Sequence, residues 1–393
     1  MDDICRNVEN LEDQYTRYTF RKVLLIIVLV VLTMVVMGVS LSFNSRGLGF
    51  VESFAYFFKH VAGATYAVGT DDWINDYAIW TVYSPRILMA IITGAGLASC
   101  GVVMQALLNN PLADPYTTGL SDGACFGAVA AIVIGFTFSS VSQSMGIVTN
   151  AFIGGLVPAL IIIGMTRVIA MSPAVTILVG VALSYLFSGL ETLIMVGTDA
   201  DTLKNAYLWQ IGTFTGTTWS ELLIPFVFVL GSSIVMLACS RRLNLLALGD
   251  DSASSLGLDV DNFRTLLMVI VAFSVAAMIS FSGIIGFVGL VAPHIVRMVI
   301  GGDNRYLIPA SMAAGALFIL VADLLSRIVV YPDELRVGLI ASIIGAPIFL
   351  YMIVKKKRYG EAYRWSRCRR WRPATAPRCP GSWGSPWRSS GYP

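Results

Sequence analysis

The residues in this 393-residue chain that could do chemistry are few and scattered. Asp323 and Arg327 stand four apart inside an apolar block, so on a helix they share a face and can pair. Ionisable residues in such blocks face a cavity or a partner. A carboxylate near mid-span is also the mark of an ion-coupled secondary transporter, although pairing with Arg327 argues against a free proton site on Asp323. Arg86, at the start of a second block, and Glu191, near the end of a third, pose the same choice between a structural pair, a cavity and an interface. His294, in Gly289-Leu290-Val291-Ala292-Pro293-His294, has no Cys, Asp or second His beside it and is a weak metal ligand. A hydrogen bond in a helix interface opened by Pro293 suits it better. His60 lies in an external or interfacial segment. There is no nucleophile–base pair, no C-x-x-C spacing and no G-x-x-x-x-G-K-[S/T] loop, nor any Gly-Lys pair. No catalytic residue, metal or cofactor is therefore expected on this chain. If ATP drives it, the nucleotide and Mg belong to a separate ATPase.

The most polar internal stretch is residues 241–264, RRLNLLALGDDSASSLGLDVDNFR, set between the apolar blocks Leu222–Cys239 and Thr265–Phe281. Leu248 to Gly257 has the makings of one short helix, with Asp250 or Asp251 as N-cap, Ala253 and Leu256 on a shared face, and Gly257 as a left-handed stop. A short capped helix with a small apolar face, held outside a membrane, suits docking. The whole chain is 56% hydrophobic and 13% charged, against roughly a quarter charged in soluble domains. A helix needs about 20 apolar residues to cross a hydrocarbon layer of about 30 Å, and the chain offers many such blocks. The expected fold is all-α and polytopic. The formal charge of +3 arises from the C-terminus, because the first 354 residues carry 16 basic against 23 acidic residues. Charge thus gives no reason to expect nucleic acid. Cys100, Cys125 and Cys239 lie in apolar blocks, and the six cysteines imply no disulfide framework.

Hydropathy predicts ten spans, near 23–43, 86–108, 118–138, 147–167, 175–196, 222–240, 265–281, 284–300, 307–329 and 335–354. The seventh and eighth meet at Ser282-Gly283, either a tight connection or a kink in one broken helix. An even count puts both termini on one side. Arg17, Arg21, Lys22, Arg167, Arg241, Arg242, Arg264, Arg297, Arg305 and Lys355–Arg358 all fall on that side, and Asp71, Asp72, Asp76, Asp199, Asp201, Asp333 and Glu334 on the other. The positive-inside rule then places the termini and residues 241–264 in the cytoplasm of a multi-pass protein of the cell membrane. The expected organisation is an uncleaved acidic tail (1–22), a transmembrane domain (23–358) and a C-terminal tail (359–393). That last tail is rich in Arg, Trp, Pro, Gly and Ser, and is expected to be disordered or an artefact of reading frame; the alternative is a basic tail on an anionic inner leaflet. Outside, residues 44–85 carry an aromatic belt (Trp73, Tyr77, Trp80, Tyr83), and residues 197–221 read as a surface lid.

Segment 105–123, QALLNNPLADPYTTGLSDG, breaks the apolar pattern at Pro111 and Pro115. It is either an ordered cytoplasmic turn or a structured loop at the inner mouth of a path, since irregular backbone at membrane depth must be buried in protein or line water. Small-residue runs at Gly94–Gly101, Gly283–Gly289 and Ala313–Ala316 point first to close helix packing in lipid.

Taken together, these stretches resemble the FecCD family, the permease subunits of ABC importers for ferric siderophores, haem and cobalamin. The resemblance covers residues 80–358. It rests on Pro85-Arg86 with Gly94–Gly101, on Gln105 and Asn110-Pro111-Leu112-Ala113-Asp114-Pro115, and on Leu248-Gly249 … Ala253 … Leu256-Gly257. Ser282 to His294, Ala322-Asp323 … Arg327, Glu334-Leu335 and Gly345-Ala346-Pro347 complete it. It implies ten spans, a homodimer in membrane lipid with the path on its two-fold axis, two ATPase subunits inside and a substrate-binding protein outside. It implies that residues 241–264 fold into short helices that seat on the ATPase through Leu246, Leu248, Gly249, Asp250, Ala253, Leu256 and Gly257. Arg86 and Arg327 match outer arginines that meet acidic residues of the binding protein. The family's further arginine, three residues before Arg86, is Tyr83 here, with Lys204 as a substitute. Gln105, Asn110, Pro111, Glu191, Gly286 and Pro293 are candidates for the path or its inner mouth.

Overall fold

The computed structural model describes residues 2–44, 46–139, 142–166 and 172–370 of the chain. Its helices are α1 (Asp2–Ser42), α2 (Phe50–Val61), α3 (Asp71–Tyr77), α4 (Ser84–Leu107), α5 (Leu120–Val129), α6 (Gln143–Thr166), α7 (Pro173–Met195), α8 (Ala200–Gln210), α9 (Trp219–Ala238), α10 (Ser240–Leu246), α11 (Asp250–Ser255), α12 (Val260–Ser282), α13 (Val288–Ile300), α14 (Asn304–Ile328) and α15 (Val337–Arg370). Among the described residues, seven helices are long and apolar enough to cross a membrane, and Leu120–Ile134, Val288–Ile300 and Val337–Met352 are shorter apolar helices. The ten coincide in order with the ten expected spans.

Two boundaries differ from expectation. The second span begins far earlier: α3, a π-helical turn at Ala78–Tyr83 and α4 run on without a break from Asp71 to Leu107. At about 1.5 Å per residue these 37 residues extend well past a hydrocarbon layer of about 30 Å, and together with α2 they make most of the external segment 44–85 helix. Span eight is a half-length helix. Gly283 at φ 69° ends α12, and α13 begins only at Val288 after an extended stretch. Ser282-Gly283 is thus a true break. Residues 197–221 contain α8 and a short loop. The chain divides after Ala346 into two compact units; the second is helical through Arg370, including the first part of the 359–393 tail, and residues 371–393 lie outside the described residues.

Small residues set the closest helix crossings. A Cβ at Gly94 would lie 2.4 Å from Gly315 O, one at Gly101 1.8 Å from Gly289 O, and one at Gly123 2.4 Å from Gly154 O. Thus α4 touches α14 and α13, and α5 touches α6, backbone to backbone. In lipid, where apolar side chains gain nothing by leaving solvent, such contacts supply the dispersion energy that holds helices together. The reading of the glycine runs as packing surfaces holds.

The break between α12 and α13 is satisfied by protein, as irregular backbone at membrane depth must be. Gly212 N donates to Ile284 O (3.0 Å), Ile284 N to Gln210 O (3.3 Å), Thr213 N to Ser282 O (2.8 Å) and Gly338 N to Gly212 O (2.9 Å). On its other side the Tyr116 hydroxyl donates to Ile285 O at 3.1 Å. The two motifs that break the apolar pattern, 105–123 and 282–294, therefore meet.

Candidate functional site

Helices α10 and α11 form the polar stretch between α9 and α12, as two short helices. Helix α11 ends as expected: Gly257 is left-handed (φ 86°), Gly257 N donates to Ser254 O (2.9 Å) and Leu258 N to Ala253 O (3.1 Å), a Schellman closure. Its start is different. The N-cap is Gly249, at φ 101°, and neither aspartate caps. Asp250 instead receives both oxygens' worth of bonding from one Arg264 nitrogen (3.0 and 3.1 Å), while Arg264 Nε donates to Leu107 O, at the last turn of α4 (3.2 Å). A charge-assisted pair outcompetes a cap for the carboxylate. Arg264 is buried, and it ties α11 to the helix that leads into segment 105–123.

The apolar residues of this stretch divide. Leu246 and Ala253 are fully buried and fix the helices to the protein, whereas Leu248 and Leu256 are 63% and 61% exposed. The expected shared face of Ala253 and Leu256 is thus not a docking face as a whole; Leu248 and Leu256 supply the free apolar surface. Helix α10 is held by Asn244, whose amide donates to Asp303 Oδ1 (2.8 Å) and whose Oδ1 accepts from Asn304 N (2.9 Å). Asp303 also caps α14 and pairs with Arg305 (2.9 Å) and Lys22 (3.9 Å). Burial pushes its carboxyl up, but the bonds from Arg305 and Asn244 outweigh this and hold it at about 2. Tyr18 donates to Ile300 O (3.2 Å). Residues 18–22, 244–250, 264 and 300–305 are thereby gathered at one end of the bundle, as the charge reading required.

At the opposite end, four charged residues form one cluster. Arg86 Nε donates to Asp323 Oδ1 (2.8 Å) and its Nη1 to Glu334 Oε2 (2.7 Å); Arg327 lies 3.3 Å from Asp323 Oδ2. Arg327 Nη1 also donates to Ser40 O (3.1 Å) and Phe43 O (2.9 Å), its Nη2 bonds the Ser40 hydroxyl, and its guanidinium sits 5.4 Å from the Tyr83 ring centre. Asp323 is wholly buried; Arg86 and Arg327 are 3% and 6% exposed. Burial raises the Glu334 carboxyl, but the Arg86 charge outweighs it and the net shift is downward. Asp323 is held between two guanidiniums, which removes the main support for an ion-coupled reading through it.

The rest of the chain settles what this bundle is. Residues 23–355 match the FecCD transport family. The chain belongs to that family. It is 37% identical over 287 residues to the hemin transport system permease protein of Yersinia pestis, covering 72% of this chain and 86% of that one. It is 38% identical over 276 residues to a cobalamin import system permease protein of Halobacterium salinarum, covering 70% and 73%. A solved structure of a transporter assigned to the metal-chelate ABC type, in an inward-facing conformation, superposes with a TM-score of 0.73 at 31% identity over 84% of this chain and 98% of that one.

Within this FecCD chain the expected site residues fall into three groups. Leu248, Gly249, Asp250, Leu256 and Gly257 lie on the α10–α11 stretch, but Leu246 and Ala253 anchor it from inside. Arg86 and Arg327, expected to meet acidic residues of a binding protein, are buried in this chain and bonded to internal partners. Tyr83 is buried beneath Arg327, and Lys204 is exposed on α8. Of the path candidates, Asn110, Pro111 and Gly286 are partly exposed, whereas Gln105, Pro293 and Glu191 are enclosed by this chain. Glu191 accepts a hydrogen bond from Gln210 Nε2, and Asn110 Oδ1 caps the turn by accepting from Leu112 N (3.0 Å). Segment 105–123 is thus an ordered turn. Reading the sequence missed Arg264 as a strut and Glu334 as a partner of Arg86. In the sequence Arg264 reads as a positive-inside marker just before the span 265–281; in the structure it stands one turn into α12.

Proposed function

We propose that this chain is the membrane-spanning permease of an ATP-driven importer, working as a homodimer with separate ATPase subunits on the α10–α11 side and a substrate-binding protein on the other. Its substrate is a metal chelate of the siderophore, haem or cobalamin class; the relatives' names give hemin and cobalamin, and that of the solved structure the metal-chelate type. The chain itself performs no hydrolysis. Both termini and the α10–α11 stretch face the cytoplasm. The observation that carries this reading is the pairing of two exposed leucines, Leu248 and Leu256, with a strut behind them: α11 is bound through Asp250 and Arg264 to the end of α4. A push on those leucines reaches the end of α4 through the Asp250–Arg264 pair, whose arginine is buried. Coupling of this kind requires a physical contact with two arrangements.

The test uses the permease reconstituted with its ATPase subunits in proteoliposomes. Burying a leucine is worth about 1.5–3 kcal/mol, and about 1.4 kcal/mol is tenfold in affinity. Leu248→Asp and Leu256→Asp should each weaken ATPase association about tenfold or more and abolish ATP-driven uptake of a ferric chelate, while the thermal stability of the permease stays unchanged. Normal association and uptake in the double variant would overturn the reading.

A further inference from the structure

Helix α2 carries three arcs. At about 100° per residue, His60, Ser53 and Phe57 fall together and face the protein. Ser53 is fully buried and accepts from the Asn44 amide (3.3 Å), His60 Nδ1 lies 2.8 Å from Asp76 Oδ2, and the Phe57 and His60 rings pack on Trp80 with centroids 5.6 and 4.3 Å away. Glu52 and Lys59 form a second, exposed polar arc. The third arc is apolar throughout: Phe50, Phe54, Phe58 and Val61 at i, i+4, i+8 and i+11, with Val51 beside them. Phe50, Val51, Phe58 and Val61 are 51%, 78%, 62% and 61% exposed. An apolar stripe of that length marks an interaction surface.

Its depth is fixed by one glycine. A Cβ at Gly38 would lie 2.8 Å from the Phe54 ring and 2.9 Å from the Phe50 ring, so α2 rests on α1 about one turn before α1 ends at Ser42. That part of α1 is a span whose Val31, Met34 and Val35 are more than half exposed, and Phe43 just beyond is 51% exposed. The α2 stripe thus continues the lipid-facing surface of α1 at its outer rim, with the polar arc turned to the remaining side.

We infer that α2 is an in-plane interfacial helix, that its Phe54 rests on α1, and that the occupant of the exposed remainder of the stripe, Phe50, Val51, Phe58 and Val61, is the bilayer. The geometry is that of an amphipathic helix whose apolar face sinks about 5–10 Å into the headgroup–acyl boundary. Through His60–Asp76 and the stack of Trp80 on Trp219 (centroids 4.6 Å), the membrane surface then braces the outer ends of α4 and α9. This inference does not depend on which substrate the protein carries or on its ATPase.

The test is made on the full chain in phosphatidylethanolamine–phosphatidylglycerol vesicles. Nitroxide labels are placed on Val51→Cys, Phe58→Cys and Val61→Cys, and on Glu52→Cys and Lys59→Cys as the polar-arc controls, with native cysteines replaced. The ratio of collision with oxygen to collision with a water-soluble nickel chelate should be severalfold higher at 51, 58 and 61 than at 52 and 59. Equal ratios would overturn the inference, as would protection of 51 and 58 from both reagents, which would mean a protein occupant such as a second copy or the binding protein. A second measurement needs no substitution. Lipids bearing a diazirine near the acyl carbonyl should label the peptide spanning Phe50–Val61 in the unaltered chain; labelling of α1 without labelling of α2 would also overturn it.

Discussion

At the scale of single residues, the charged groups are structural ties between distant segments. Asp323 shows this most directly, because two guanidiniums and no water-exposed group share its two oxygens. Removing one member of a buried pair leaves its partner charge uncompensated and costs about 3–5 kcal/mol. Asp323→Ala should therefore lower the unfolding midpoint in detergent steeply, since Arg86 and Arg327 would then face each other. Glu334→Gln should cost far less, about 1 kcal/mol or under, because the Glu334 side chain is 35% exposed and water can replace it. Equal effects would mean that the cluster is not organised around Asp323. The sequence showed half of this arrangement. Asp323 and Arg327 are four apart, and helical period alone pairs them. Arg86 and Glu334 are joined only by the crossing of α4 with α14, and no local pattern records a crossing. The same holds for Asp250: its composition suggested a cap, and its actual partner, Arg264, lies on the next helix.

At the scale of elements, spans were legible because twenty apolar residues in a row have few other uses, and their ends were not. The outward extension of α4 to Asp71 carries acids and aromatics, which read equally as loop. The α12–α13 break was visible as Ser282-Gly283, but its consequence depends on Phe287, which stands left-handed at φ 69° at the start of α13. A phenylalanine there gives no sequence signal, and such a conformation persists only where its surroundings over-determine it. The glycine runs were more informative. Gly101 meets the Gly289 carbonyl so closely that an added Cβ would lie 1.8 Å from it. Gly101→Val forces α4 away from α13 at the point where segments 105–123 and 282–294 meet. Overpacking typically costs about 1–3 kcal/mol, and backbone as the obstacle places this substitution at the upper end. The expected outcome is a destabilised protein with lowered transport per folded molecule. Gly231→Ala, where the added Cβ meets nothing outside its own stretch of helix within 4 Å, should leave transport per folded molecule unchanged and, in a helix interior, raise stability by up to about 1 kcal/mol.

At the scale of the whole molecule, charge decides how the bundle sits. Tyr18, Lys22, Asn244, Asp303 and Arg305 are bonded into one end, and Arg86, Arg327, Glu334 and Thr215 into the other. The first end carries the short-loop Lys and Arg that are costly to translocate, and the second carries Asp71, Asp72, Asp199, Asp201 and Asp333. Two exposed positions mark these ends: Leu256, 61% exposed after α11, and Val68, 83% exposed between α2 and α3. With native cysteines replaced, Leu256→Cys should react with a membrane-impermeant maleimide only in inside-out vesicles, and Val68→Cys only in right-side-out vesicles. The opposite pattern would invert the molecule and separate α10–α11 from any cytoplasmic ATPase. Reaction at both positions from one side would break the odd count of five spans between them, the shortest of which, Leu120–Ile134, rises only about 22 Å against a layer of about 30 Å.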